Sequence, residues 1–352
     1  MEQKNRSMFA PQSLLIYYFS GTGNSRNVAR WFADEASNRQ IPSRLVNIAR
    51  TDRMSIPPPD PGALVAFVSP IHGFNYAPVM MYFIMRFPRV RNAVCLLNTR
   101  AGMRIGRWVT PGLTGVAFYL ASIVLMLKGY SIRAMVPVDL PSNWLSLHPG
   151  LNERTVRYLH ERNREKVARF AQKIFSGRRV YTALRDIVQD ALIAPISLGY
   201  YCIGRFVFAK TFYASAACDR CDVCIKNCPV KAIRVVDDRP YWTLKCESCM
   251  RCMCTCPRRA IETGHGFIAC VSAAYALVMY GISGIVMELL PAALHIEALG
   301  FVARNFLFFL ILAAAYRLVH YSMRVPFIGR VMVWTSLTSY QFWGRRYRAL
   351  ND

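Results

Sequence analysis

Two stretches, CDRCDVCIKNCPVKAI and CESCMRCMCTCPRRAI, constrain this chain more than anything else in it. In each, the cysteines fall as C-x2-C-x2-C-x3-C-P: Cys218, Cys221, Cys224 and Cys228 before Pro229, then Cys246, Cys249, Cys252 and Cys256 before Pro257. Three thiolates on one tight loop can hold three corners of an iron–sulfur cube. The fourth ligand has to come from elsewhere, because the turn at the proline carries the last cysteine away. Structural zinc is the rival reading. Zinc sites pair C-x2-C units to close a tetrahedron, and a third cysteine at the same spacing has no job there. A disulfide framework fits worse, since no secretory signal precedes the motifs and such thiols in a cytosolic protein more often bind metal.

The duplication resembles a bacterial-type 2[4Fe–4S] ferredoxin. In such proteins the cysteine before the proline serves the other cluster. The resemblance therefore implies Cys218, Cys221, Cys224 and Cys256 around one [4Fe–4S] cluster, and Cys246, Cys249, Cys252 and Cys228 around the second. It also implies a small α+β domain, here over residues 213–262. Cys202 lies too far from this spacing to be a ligand, and Cys95 falls inside an apolar run. Cys254, an extra thiol within the second motif, is either a bystander or an alternative ligand.

At 352 residues the chain is too long for that domain alone. Upstream, LLIYYF (residues 14–19) is a short run of β-formers that ends at SGTGNS (Ser20 to Ser25) and opens the helical pattern NVARWFADEA. Strand, glycine- and hydroxyl-rich loop, then helix is an arrangement that cradles a phosphate on backbone N–H groups, with Thr22 and Ser25 as added donors. A glycine-rich turn can also be only a turn. Strand-like runs recur at 44–48, 63–68, 93–98 and 132–138, which with helix-length stretches between them predicts a doubly wound parallel sheet. In the order 2-1-3-4-5, ligands sit outside the carboxyl ends of strands one and three. Those ends are SGTGNS and SPIHGFNYAP (Ser69 to Pro78), and the fourth strand ends in NTRAG (Asn98 to Gly102).

FSGTGNS, the proline-led loop, NTRAG and VDLPSNW resemble, in that order, the flavodoxin-like half of fused flavodoxin–ferredoxin proteins. The likeness covers residues 13–262. It implies a flavodoxin-like fold over residues 1–180 with an FMN phosphate on Ser20, Thr22, Gly23, Asn24 and Ser25. The isoalloxazine ring would lie between Pro70, His72, Gly73, Phe74 and Tyr76 on one side and Asn98, Thr99, Arg100 and Gly102 on the other. The fourth-strand loop lacks an aromatic, which leaves one flavin face open or covered by the cluster domain. Arg100 either stabilises negative charge near the ring or is a solvated loop arginine, and His72 is either a flavin neighbour or a satisfied loop histidine.

The chain is 54% hydrophobic yet carries a formal charge of +24, a combination that suits an anionic membrane surface. No zinc finger, RNP-type motif or basic stripe with interleaved aromatics is present, so nucleic acid is not an expected partner. Residues 79–87 and 112–127 read as helices too apolar for a solvated face, covered by protein or by lipid. The apolar connector within 181–212 is broken by Pro195, Gly199, Gly204 and Arg205 and reads as interfacial rather than spanning. Past the second motif, Phe267 to Met287 and residues 301–321 predict a transmembrane hairpin within 263–322. A basic, aromatic tail occupies 323–352, with Trp334, Tyr340 and Trp343 suited to the interface. The basic flanks place both ends of the hairpin in the cytoplasm. The polar N-terminal stretch is not a signal peptide, so both redox domains are expected on the cytoplasmic face of the cell inner membrane.

Together these features predict a membrane-anchored electron-transfer protein that relays electrons between FMN and two [4Fe–4S] clusters and on to a redox donor or acceptor not specified by the sequence. A flavin-dependent reductase of a small substrate is the alternative. An iron–sulfur redox sensor or assembly module is a third reading, with Cys254 as its only hint.

Overall fold

The computed structural model describes residues 11–106, 108–289 and 297–343. The chain divides into two compact units. Among the described residues, the first takes those up to Trp144 together with Gly150–Gly204; the second takes Leu145–Pro149 and residues 205–343.

The first unit is built on a parallel sheet. Its elements run β1 (Ser13–Tyr18), α1 (Asn24–Ser37), β2 (Ser43–Asn47), β3 (Ala63–His72), β4 (Asn75–Tyr76), α2 (Pro78–Arg86), β5 (Ala93–Ile105), β6 (Trp108–Thr110), α3 (Ala117–Leu127), β7 (Ser131–Pro141), α4 (Glu153–Phe175) and α5 (Ile187–Gly199). The parallel strands lie in the order β2-β1-β3-β5-β7, which is 2-1-3-4-5 and therefore the flavodoxin-type winding. Val28, Trp31 and Phe32 of α1 and Val167, Phe170 and Ile174 of α4 fall at helical spacing and bury one face of the sheet. On the other face Tyr17, Phe67, Phe83 and Phe87 form an aromatic cluster with centroids 4.9–6.4 Å apart. Asn152 caps α4 by accepting from the Thr155 N–H at 2.8 Å, with Glu153 in the first turn and Lys173 in the last.

Two expected loops are strand instead. The stretch from Ser69 to Tyr76 is a tight hairpin in which His72 faces Asn75, and the central residues Gly73 and Phe74 both have positive φ, 52° and 65°. That is the requirement of a type I′ turn. NTRAG is also extended: β5 pairs with β7 through Gly102, then turns back antiparallel onto β6. Gly102 permits this, because a Cβ there would sit 2.6 Å from the Asp139 carbonyl oxygen. The apolar run expected as a helix over 112–127 is helical only from Ala117; residues 112–114 are neither helix nor strand and Gly115 has φ of 61°.

After α5 a turn of π-helix (Tyr200–Gly204) leads into α6 (Arg205–Ala209). The second unit continues with β8 (Phe212–Ala214), α7 (Val223–Lys226), β9 (Ile233–Val236), β10 (Arg239–Trp242), α8 (Arg251–Thr255), β11 (Ile261–Thr263), α9 (His265–Leu289), α10 (Glu297–Ser322) and α11 (Pro326–Trp334). β8 pairs antiparallel with β11, and β9 with β10. The turn between the latter two places Asp237 and Asp238 at φ of 50° and 58°. Tyr213, Phe267, Val271, Leu312, Tyr316, Met323 and Met332 make one core, so α9, α10 and α11 pack directly on the small strands. Among the described residues, Val302–Ser322 is long and apolar enough to cross a membrane, as is the stretch Thr182–Ala209. Residues 290–296 of the expected hairpin connection and 344–352 of the tail lie outside the described residues.

Candidate functional site

The carboxyl edge of the parallel sheet gathers the residues singled out for FMN. Gly23, at φ of 112°, is the N-cap of α1, and no side chain caps that helix's first turn. The Gly23 N–H donates to Ser20 Oγ at 3.0 Å, which tightens the loop. Thr22 Oγ1 accepts from Asn143 Nδ2. Asn24 and Ser25 are turned inward: Asn24 Nδ2 donates to the Pro141 carbonyl at 2.9 Å, and Ser25 Oγ meets Thr99 Oγ1 at 2.9 Å. Their side chains therefore fix the loop, and backbone N–H groups at the start of α1 are what the arrangement offers an anion.

At the end of β3 and where β5 leaves its pairing with β3, two side chains hold buried polar atoms with no partner among the described residues. Neither amide atom of Asn98 is bonded, nor is His72 Nδ1. Burial pushes His72 down to about 4, so its imidazole is neutral at pH 7. Its ring meets Phe19 edge-on at 6.2 Å. A buried amide without partners costs free energy, and it sits where this strand order receives ligands. These residues fit a flavin with its phosphate at α1.

Other singled-out residues are committed elsewhere. Tyr76 is wholly buried, donates to the Leu97 carbonyl at 3.2 Å and packs on Phe118, so it belongs to the core. Arg100 is neither solvated nor free to face a ring. Its Nε donates to Asp139 Oδ1 at 2.6 Å, and Nη1 donates to Asp186 Oδ2 at 2.6 Å and to Thr114 Oγ1 at 3.2 Å. Burial works against the Arg100 charge, but Asp139 and Asp186 outweigh it and raise its pKa. Pro70 Cα pairs with Thr99 across the sheet, and Gly73 lies under the Tyr200 ring, where a Cβ would come within 2.0 Å.

That last contact comes from α5 and the π turn behind it, which lie on these loops. Asn75 Nδ2 donates to the Ser197 carbonyl at 2.8 Å, and Ser197 Oγ returns a bond to the Phe74 carbonyl at 2.8 Å. Asp190 accepts from the Gly115 N–H at 2.8 Å and from Tyr119 OH at 3.2 Å. Trp144 meets the Tyr200 ring edge-on at 5.7 Å. Sequence reasoning missed Tyr200, Ser197 and Asp190 because they lie in a segment read only for its hydropathy. Asp139, Asn143 and Trp144 were within reach, since all three belong to VDLPSNW.

In the second unit the duplicated motifs share a backbone conformation that sequence spacing does not reveal. Arg220, Asp222 and Lys231 have φ of 59°, 56° and 51°, and their counterparts Ser248, Met250 and Arg259 have 51°, 58° and 55°. Left-handed residues alternating with right-handed ones turn successive N–H groups toward one side, a concavity that suits anions and iron–sulfur sites. The Ala232 N–H donates to Cys228 Sγ at 3.2 Å and the Ala260 N–H to Cys256 Sγ at 3.3 Å, again at matching positions.

The thiols fall into two electrostatic neighbourhoods. Burial, then the nearby Cys218 and Cys256, push Cys224 up to about 12. Burial pushes Cys249 up to about 12 and also raises Cys246 and Cys252; the nearby Cys228 adds to the rise at all three. Beside the latter group, the buried Trp242 indole N–H is aimed at Cys252, and the buried Ser248 hydroxyl has no partner among the described residues. Among the described residues no three His, Cys, Asp or Glu converge on a single-ion site. A zinc ion needs its ligand atoms about 2.0–2.3 Å from one point, whereas a cube takes one thiolate at each corner. The thiol set, the Ala232 and Ala260 N–H groups that donate to thiol sulfurs, and the Trp242 and Ser248 donors fit cubane clusters, which carry their own acceptor sulfurs.

Lys210 sits beside the second neighbourhood. Its Nζ donates to the Trp242 carbonyl at 2.8 Å and Tyr241 OH at 3.2 Å, and lies 4.4 Å and 4.6 Å from the Tyr241 and Tyr316 ring centroids.

No family model and no curated protein matches the chain. Among solved structures it is similar to rubredoxin oxygen:oxidoreductase from Desulfovibrio gigas, 14% identical with a TM-score of 0.30, over 46% of this chain and 37% of that one. It is also similar to a flavodoxin from the domain Archaea, 11% identical with a TM-score of 0.29, over 46% of this chain and 99% of that one. The Streptococcus pneumoniae TIGR4 flavodoxin is 15% identical with a TM-score of 0.27, over 45% of this chain and 98% of that one. Scores this low carry no functional argument, and the flavodoxin-type assignment of the first unit rests on its own strand order.

Proposed function

We propose that the chain is a membrane-anchored electron-transfer protein with an FMN site in its first unit and two [4Fe–4S] clusters in its second. The observation that carries this reading is the pair of cysteine loops with left-handed residues at matching positions. Six non-glycine residues held at positive φ would each cost about 1–2 kcal/mol, and such strain persists where the surroundings impose it. A cluster bound by the surrounding thiols supplies that constraint.

Cys218, Cys221, Cys224 and Cys256 would hold one cluster, and Cys246, Cys249, Cys252 and Cys228 the other. When bound, the clusters carry single electrons and FMN exchanges one or two. The chain's own contribution is position and potential. The Ala232 and Ala260 N–H groups donate to ligand sulfurs, and the Trp242 indole can donate toward Cys252. The start of α1 would offer its N–H groups to the flavin phosphate, and the unbonded amide of Asn98 would bond the flavin itself. Val302–Ser322 would anchor the chain, with both redox units on the cytoplasmic face.

The carrier reading is favoured over a reductase by the state of His72. With its pKa lowered to about 4 it is neutral at pH 7, and a neutral imidazole is only a weak general acid for a substrate. Anaerobic purification in detergent followed by iron, flavin and EPR analysis tests the proposal. We expect about eight irons, as two cubanes require, and one FMN per chain. Protein with stoichiometric zinc in place of iron, or with no flavin, would overturn it.

A further inference from the structure

The first unit has an apolar outer surface that its own fold leaves uncovered. We propose that this surface, made by α2, α3 and α5, lies on the lipid bilayer, so that the parallel-sheet unit rests on the membrane independently of the spanning helix.

α5 divides cleanly into two sides. Asp190, Ile193 and Ser197 recur at helical spacing and face the sheet loops, where Asp190 bonds Gly115 and Tyr119 and Ser197 bonds Phe74. On the other side Val188 is 71% exposed, Leu192 77% and Ile196 58%. A helix fastened laterally by such polar bonds lies flat on the unit and does not cross a bilayer by itself. Its neighbour α3 continues the apolar side, with Ile123 51% and Leu127 77% exposed, and α2 adds Met85 at 56%. Isolated exposed apolar residues need no explanation, but exposed apolar side chains on three helices that touch, α2 on α3 and α3 on α5 through Tyr119 and Asp190, mark an interaction surface.

Charge selects the occupant. Residues 61–138, which contain α2 and α3, include no Asp or Glu and eight Arg or Lys. Arg86, Arg89 and Arg91, at and just beyond the end of α2, are exposed. On α2 and α3 the apolar side chains are bordered by cations and no anions, which suits an anionic leaflet, where each Lys or Arg near the surface contributes about 1 kcal/mol. The two acids of the α5 segment are engaged inward, Asp190 buried and Asp186 paired with Arg100. The inference draws on the anchoring reading, since a spanning α10 keeps the unit near lipid at high effective concentration.

The full chain is reconstituted in phosphatidylethanolamine–phosphatidylglycerol vesicles doped with a phosphatidylcholine bearing a diazirine near the end of one acyl chain. After photolysis, adducts are mapped by peptide mass spectrometry. We expect adducts in α3 and α5 as well as α10, and none on the charged helix α4. The double variant Leu127→Glu, Leu192→Glu should lose the α3 and α5 adducts and keep those of α10. Adducts in α10 alone would overturn this inference and leave the anchor standing. Adducts in none of these helices would overturn both.

Discussion

Arg100 and Asp139 meet at 2.6 Å with little solvent access, and Lys166 reaches the other Asp139 oxygen at 3.1 Å. Burial alone would raise the Asp139 pKa. Lys166 and Arg100 reverse that and hold it below the usual carboxylate range, helped by the Gly112 N–H. The sign of the pH effect follows. A carboxylate depressed on folding stabilises the native state above its unfolded pKa of about 3.9, and that stabilisation disappears as pH falls through the folded value. Asp139→Asn would leave Arg100 with Asp186 only, and we expect a loss of about 3 kcal/mol at pH 7, the low end for breaking a buried pair. Thermal unfolding from pH 7 to 3 should show wild type converging on the variant as acid is added. A gap that stays constant across that range would mean that the charge on Asp139 is not what stabilises the unit.

Among elements, α5 is the one whose role was least legible. Its hydropathy announces an apolar segment, and Thr182–Ala209 is long enough to span a membrane. What ties it to the sheet unit is a handful of polar bonds to residues far away in sequence, together with Tyr200 seated on Gly73. Gly73 has φ of 52° and a Cβ there would collide with the Tyr200 ring. Gly73→Ala should therefore displace the π turn and loosen α5, at about 1–2 kcal/mol for the left-handed backbone alone. Faster hydrogen exchange over 187–204, with β1 and β3 unchanged, is the expected signature; unaltered exchange there would mean that Tyr200 does not hold the segment. The parallel strands, by contrast, could be read from β-branched runs, since period and composition are local. The hairpin at Ser69–Tyr76 and the strand over NTRAG could not, because the pairing of β5 with β7 depends on a partner that the local pattern does not name. Similarly, spacing singles out the eight cysteines of the two motifs but is silent on the left-handed residues between them.

On the scale of the whole molecule, the sequence suggests separable modules, with a cluster domain followed by an anchor. Packing in the second unit argues against such a boundary. Tyr316 of α10 donates to the Phe212 carbonyl at 2.9 Å, and Tyr213 donates to the Met332 carbonyl of α11 at 2.8 Å. Arg324 and Arg317 both pair with Asp237 in the β9–β10 turn, and His320 bonds the Val236 carbonyl at 2.9 Å. Ser336 closes the set by donating to the Thr263 carbonyl at 2.8 Å. The same helix that would enter the bilayer thus completes the core beneath the second cysteine loop, where Tyr316 also caps the Trp242 N–H. A chain ended after Gly264 would expose Tyr213 and Trp242 and lose every one of these bonds. A detachable anchor would leave cluster content untouched by that truncation and merely free the protein from the membrane. We expect the opposite, a chain that aggregates or retains well under half the iron of full-length protein prepared in parallel. Tyr316→Phe, which keeps the ring and removes only the hydroxyl, should stay folded and lose about 0.5–1.5 kcal/mol. A soluble truncated chain with full iron content would show that α10 is a tether and not part of the cluster unit's core.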